Sequence, residues 1–323
     1  MDAQSRLMLR RLRWTPLQVL GSLPLWFRAW AERRAAPSPA FLHEMVARIE
    51  DRTIPGSSPS QETNPGKPLR LRLYTPKNPS GGLVLFLHGG GFVMGGLDSH
   101  AAMAAKLAEA SRCAVIALDY RLAPRHPYPA ALEDSYAALV WLHAQAAELG
   151  GDPARIAVCG DSAGGNLSAA LSLLVRRRNG PRIAFQALLY PATHGNIAVP
   201  SHAENARGYF LTTSAMAWFA RQYLGSRKIE DLAPEDIELL APFQAADHRG
   251  LPPAHIVTLP YDPLRDEGEQ YAEKLHASGV PVTIAHYDSF HGFLNFWPPI
   301  ELARRALEET GAAIAAGLAR ALN

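Results

Sequence analysis

Gly160-Asp161-Ser162-Ala163-Gly164-Gly165 is the stretch on which the reading of this chain turns. It fits the pattern G-x-S-x-G, which taken alone arises easily by chance. Its surroundings make it informative. An apolar run at 155–159 predicts a buried strand leading in, and helical spacing over 163–177 predicts a helix leading out. A serine at such a strand–turn–helix junction sits on a tight, strained turn, and small neighbours let other backbone pass close by. Its Oγ is then exposed at the carboxyl edge of a sheet, beside the positive end of the following helix. A phosphate-binding loop fits less well, because no Gly-Lys-Ser/Thr is present.

Outward from this turn, short apolar runs alternate with helical spacing. Strands are predicted at 69–74, 83–87, 114–118, 184–189, 254–259 and 282–286, and helices at 101–111, 132–149, 267–277 and 301–322. Such alternation predicts an α/β fold with a mostly parallel sheet covered by helices on both faces. The stretch 51–68, dense in Pro, Gly, Ser, Thr and Asn, reads as an exposed loop after an N-terminal helical region. Between 193 and 240 the alternation stops and helical, aromatic-rich sequence takes over. The expected partition is a catalytic core of 46–192 and 241–323, with 1–45 and 193–240 as a helical cap.

His88-Gly89-Gly90-Gly91-Phe92 follows directly on the predicted strand 83–87. Attack on an ester turns its carbonyl oxygen into an anion, which needs hydrogen-bond donors already in place. Three glycines let a loop turn its N–H groups inward. The expected donors are the amides of Gly89, Gly90 and Ala163. His88, at a strand end before the loop, reads as a brace for it and not as the catalytic base.

Twelve histidines are available, so position must choose the base. When a serine on such an elbow is the nucleophile, the acid and then the histidine follow it along the chain. His291 comes after the last predicted strand and before the C-terminal helix, whereas His286 lies within that strand. Asp262 follows the preceding strand. Asp266 is the runner-up for the acid and reads as the N-cap of the next helix, and Asp288 is too near His291 in sequence. Ser162, His291 and Asp262 would then form an acyl-enzyme and hydrolyse it.

Composition narrows the field of functions. Hydrophobic residues are 48% of the 323 and charged residues 19%, as a packed globular chain requires. The net charge of +2 gives no reason to expect a nucleic-acid partner. Two cysteines, Cys113 and Cys159, lie in apolar runs without metal-site spacing. They fit a reducing, cytoplasmic compartment. No apolar run is long enough to span a membrane, and the N-terminal segment offers at most a surface contact. Assembly is expected to be a monomer or a homodimer.

Taken together, His88 to Gly91, Gly160 to Gly165, Asp262 to Glu267 and His291 to Phe293 resemble the hormone-sensitive lipase-like esterases, the bacterial carboxylesterase group with a His-Gly-Gly-Gly signature. Tyr120 to Pro124 and Leu251 to Ala254 are similar to stretches common in that family. The resemblance covers roughly residues 70–300. It implies the α/β-hydrolase fold with an eight-stranded core, a helical cap, a small-molecule ester as substrate, and no cofactor or metal. Arg125, where such enzymes commonly have Glu, and Leu259-Pro260-Tyr261 before Asp262 depart from the pattern and bear on the substrate. Phe92, Tyr190, Phe210, Leu211, Trp218, Leu264 and Phe293, with Leu20 or Trp26, are the candidates to line an apolar pocket for short- to medium-chain acyl groups. An acyltransferase or amidase would use the same nucleophile. A non-catalytic binding protein on the same scaffold would not need Ser162 and His291 intact.

Overall fold

Strand residues that alternate between two apolar neighbourhoods explain why the central runs have no polar face. Leu83, Leu85 and Leu87 enter one core cluster while Val84 and Phe86 enter the other. A strand buried on both sides must be apolar throughout. The computed structural model describes residues 1–12, 17–23, 27, 31, 34, 36–56 and 66–320. Its strands are β1 (Val46–Gly56), β2 (Gly66–Pro76), β3 (Leu83–Leu87), β4 (Ala114–Asp119), β5 (Ile156–Asp161), β6 (Phe185–Leu189), β7 (Ala254–Thr258) and β8 (Val282–His286). They form one sheet in the order β1-β2-β4-β3-β5-β6-β7-β8. The pairs β1/β2 and β2/β4 are antiparallel and the remaining pairs are parallel.

Helices α1 (Ala3–Leu12), α2 (Leu17–Ser22), α3 (Pro39–Met45), α4 (Ala101–Ser111), α5 (Ala130–Ala144) and α6 (Ala163–Arg178) come first. After them come α7 (Pro200–Glu204), α8 (Thr213–Leu224), α9 (Pro234–Leu240), α10 (Arg265–Ala277) and α11 (Glu301–Arg320). α4 and α11 bury Met103, Leu107, Leu307 and Ile314 on one face of the sheet. α5, α6 and α10 bury Leu139, Leu171, Tyr271 and Leu275 on the other. α7, α8 and α9 fall within the expected insertion, which holds no strand. Among the N-terminal elements, α2 meets α8, where a Cβ on Gly21 would stand 2.7 Å from the Trp218 ring. α1 and α3 pack instead against core elements, α1 through Ser5 Oγ to Ser289 Oγ at 2.7 Å and α3 against α4.

Two expectations need correction. Residues 46–56 form an edge strand where the sequence suggested helix and then loop. Only Val46 and Ile54 in that strand are well buried, and Asp51 pairs across it with Arg72. A charged edge strand held by its ladder carries little apolar period to read. The helix expected over 132–149 ends at Ala144, and 145–150 continues as turns. Residues 57–65 of the expected loop lie outside the described residues. No described helix is long and apolar enough to cross a membrane.

Register places the chemistry. In the β3/β5 pair Leu87 faces Gly160, so the loop leaving β3 and the turn leaving β5 emerge side by side. Beyond β7 and β8 an isolated parallel bridge joins Tyr261 to Phe290. Asp262 and His291 each follow a bridged residue, so they leave the sheet edge together.

Candidate active site

Ser162 has φ 55° and ψ −116°, a region that costs a non-glycine residue about 1–3 kcal/mol unless its surroundings impose it. The surroundings do so. A Cβ at Gly164 would collide with the Leu87 carbonyl, so helix α6 can start close against β3 only with glycine there. The Ser162 amide is held by Leu189 O at 2.8 Å. At this turn Ser162 Oγ lies 2.9 Å from His291 Nε2, and His291 Nδ1 lies 2.7 Å from Asp262 Oδ2. Nδ1–H donating to the carboxylate leaves Nε2 to accept the serine proton. Asp262 is fully buried, and its second oxygen accepts the Leu264 N–H at 2.8 Å. Tyr190 packs edge-on against the His291 ring, with centroids 4.9 Å apart.

The loop after β3 departs from expectation at Gly89. Its N–H donates to Asp161 Oδ1 at 2.8 Å and is not available to a substrate. Among the described residues the amides of Gly90, Gly91 and Ala163 make no hydrogen bond. Gly90 and Gly91 take φ +116° and +61°, and their missing Cβ atoms would meet Met94 O and the Phe219 ring. The correction has a clear cause: a buried carboxylate recruits the amide nearest the strand end.

Asp161 ties the elbow to this loop. It is 2% exposed, and His100 Nε2 lies 3.4 Å from its Oδ1. Burial alone would push the Asp161 carboxyl up; the facing His100 ring and the Gly89 N–H outweigh it and hold it below the usual carboxylate range. His88 behaves as the expected brace. Its Nδ1 bonds to Gly89 O at 2.8 Å and its ring stacks on Tyr120 at 4.1 Å, whose hydroxyl donates to His88 O at 2.6 Å. Burial pushes the His88 imidazole down to about 3, so it is neutral and unsuited to proton transfer near neutrality.

A cavity of about 620 Å³ opens over Ser162. Phe92, Phe210, Leu211 and Leu264 line it as expected. Tyr190 and Phe293 do not: both are buried behind His291, 6.3 Å from one another. Trp218 turns away as well, packing on Gly21 and edge-on against Phe219. Trp26 and the side chain of Leu20 lie outside the described residues. Sequence reasoning missed Leu17, Met216, Phe219 and Tyr223, which line the cavity, and His202 with Glu267, which add a polar wall. The α8 residues stand at helical spacing from one another, and that period was a usable signal. Asp266 is not the N-cap of α10. It lies inside the first turn, and its carboxylate accepts the Ser201 N–H at 2.8 Å. Asp288 points to the amino terminus, 2.8 Å away. Cys113 and Cys159 are free and buried, and burial pushes both thiols up, away from reactivity. Among the described residues no group of His, Cys, Asp or Glu is arranged to hold a metal ion.

A family model described as alpha/beta hydrolase fold matches residues 84–295. Carboxylesterase NlhH of Mycobacterium tuberculosis is 42% identical over 296 residues, which cover 90% of this chain and 88% of that one. Esterase LipI of the same organism is 41% identical over 248 residues, covering 75% of this chain and 76% of its own. The solved hyperthermophilic esterase of the archaeon Pyrobaculum calidifontis superposes with a TM-score of 0.84 at 37% identity, covering 98% of both chains.

Proposed function

We infer the working of the site from one premise: the chain belongs to the hormone-sensitive lipase-like esterases of the α/β-hydrolase fold, and it is a carboxylic-ester hydrolase. Ser162 is the nucleophile, His291 the general base and then acid, and Asp262 the residue that fixes the imidazole tautomer and stabilises its cation. The observation that carries this assignment is the unbroken hydrogen-bond relay from Ser162 Oγ through His291 to Asp262 Oδ2.

In the first half-reaction Oγ attacks the ester carbonyl carbon while its proton passes to His291 Nε2. The tetrahedral oxyanion accepts hydrogen bonds from the N–H groups of Gly90, Gly91 and Ala163. Each such donor is worth on the order of 10²–10³ in rate. The C–O bond to the alcohol then breaks, and Nε2–H protonates the leaving oxygen. Water repeats the sequence on the acyl-enzyme and frees the acid.

The cap in this reading comprises 193–240 with α2 of the N-terminal segment, over the core 46–192 and 241–323, while α1 and α3 of the expected cap segment 1–45 pack on the core instead. The α2–α8 contact at Gly21 and Trp218 supports it. Phe219, Met216 and Tyr223 of α8 bound the apolar side of the cavity, which suits short- to medium-chain acyl groups. The free cysteines favour a reducing, cytoplasmic setting. Hydrolysis rates across p-nitrophenyl esters from acetate to palmitate test the chain-length assignment. Highest turnover is expected at the short to medium lengths, and a maximum at palmitate would reverse it.

A further inference from the structure

Residues 201–205 of the insertion carry four polar side chains, and each of them binds the segment 260–267 around Asp262. Ser201 O–H donates to Pro263 O at 2.6 Å and accepts the Asp266 N–H at 3.2 Å, while Ser201 N–H donates to Asp266 Oδ2 at 2.8 Å. His202 Nε2 lies 2.7 Å from Glu267 Oε1. Arg265 donates to Glu204 Oε2 at 2.8 Å. Asn205 Nδ2 donates to both Pro260 O and Asp262 O, at 3.1 Å each. Asn205 is 5% exposed and Asp262 not at all.

The need for this stitching follows from the sequence of the acid loop. Pro260 and Pro263 have no N–H, so the loop has few donors with which to anchor its own main chain. Its buried carbonyls still require partners. Asn205 supplies one amide group to Pro260 O, two residues before the acid, and to the carbonyl of the acid itself, which also accepts the Arg265 N–H at 3.1 Å within the turn.

We propose that Asn205 is a positioning residue for ester hydrolysis, holding the main chain of the acid loop so that the Asp262 carboxylate stays aligned on His291, with Ser201, His202 and Glu204 completing the clasp. The proposal rests on Asp262 being the triad acid. Because His202 and Glu267 also border the substrate cavity, the clasp makes the cavity wall and the acid loop one mechanical unit.

Two single variants, Asn205→Ala and Asp262→Ala, and their double variant decide the matter with p-nitrophenyl butyrate, at enzyme concentrations that resolve residual turnover. Misplacing a catalytic group by about 1 Å costs roughly 10²-fold. Asn205→Ala should therefore lower kcat by roughly 10- to 100-fold, with KM changed no more than about twofold. In the Asp262→Ala background the same substitution should cost almost nothing, since the group it positions is gone. An unchanged kcat in Asn205→Ala, a loss carried by KM, or an equal loss in both backgrounds overturns the clasp. An Asp262→Ala enzyme of full activity overturns the triad assignment itself. If circular dichroism finds Asn205→Ala unfolded, Ser201→Ala decides: a lower kcat at constant KM supports the clasp, and an unchanged kcat overturns it.

Discussion

Three side chains and three amides do the work proposed here, and each depends on a neighbour with no chemistry of its own. Replacing Ser162 by Ala removes the proposed nucleophile while leaving the elbow backbone intact. It should lower kcat by on the order of 10⁴–10⁶-fold without changing the unfolding midpoint appreciably. Stopped-assay kinetics and a urea curve on the same preparation check both halves. Gly90→Ala would drive a Cβ into Met94 O at a positive φ. It should turn a donor out of the oxyanion site, lowering kcat by on the order of 10²-fold while KM moves little. The elbow pattern singled out Ser162 and position after the last strand singled out His291, and the fold sets the two 2.9 Å apart. Gly91 was not preferred to Gly89, because amide direction is set by a contact from the distant Asp161, which the pattern G-x-S-x-G leaves unspecified.

At the scale of elements, α8 bounds the cavity. Phe219 is 7% exposed and lies against the missing Cβ of Gly91, so it bounds the cavity beside the oxyanion loop. Phe92 stacks on Tyr223 with centroids 3.7 Å apart, which fixes the same wall from the core side. Phe219→Ala should open space there and move the preferred p-nitrophenyl ester to a longer acyl chain. An unchanged optimum would show that another wall sets the limit. The central strands were legible from their unbroken apolar runs. β1 was not, because its residues face water and charge on most sides. Tyr190, Trp218 and Phe293 were named as apolar-pocket candidates, yet residue type does not reveal which face of a turn or helix it occupies.

For the whole molecule, burial of neutral His88 links stability to pH. The unfolded chain protonates this imidazole near its ordinary 6.5, and the folded protein resists down to about 3. Between those values the unfolded state holds more protons, so stability falls as pH drops through that window. The fall from this residue is up to about 1.4 kcal/mol per pH unit. Urea midpoints measured from pH 7 to pH 4 should decline accordingly, and a flat profile would contradict a buried neutral ring. The two-faced core sets the larger stake. Leu85 is fully buried in the cluster under α5 and α6, and Leu85→Ala should cost about 2–5 kcal/mol in the same assay.

The lone rung joining Tyr261 to Phe290 has a consequence for how this enzyme would fail under stress. The proposed acid and base hang from two neighbouring rails that this rung ties together, whereas the proposed nucleophile hangs from a rail nearer the centre of the sheet. Strain that moves the two outer strands together should therefore carry Asp262 and His291 along as a couple, and the gap expected to widen first is the one to Ser162.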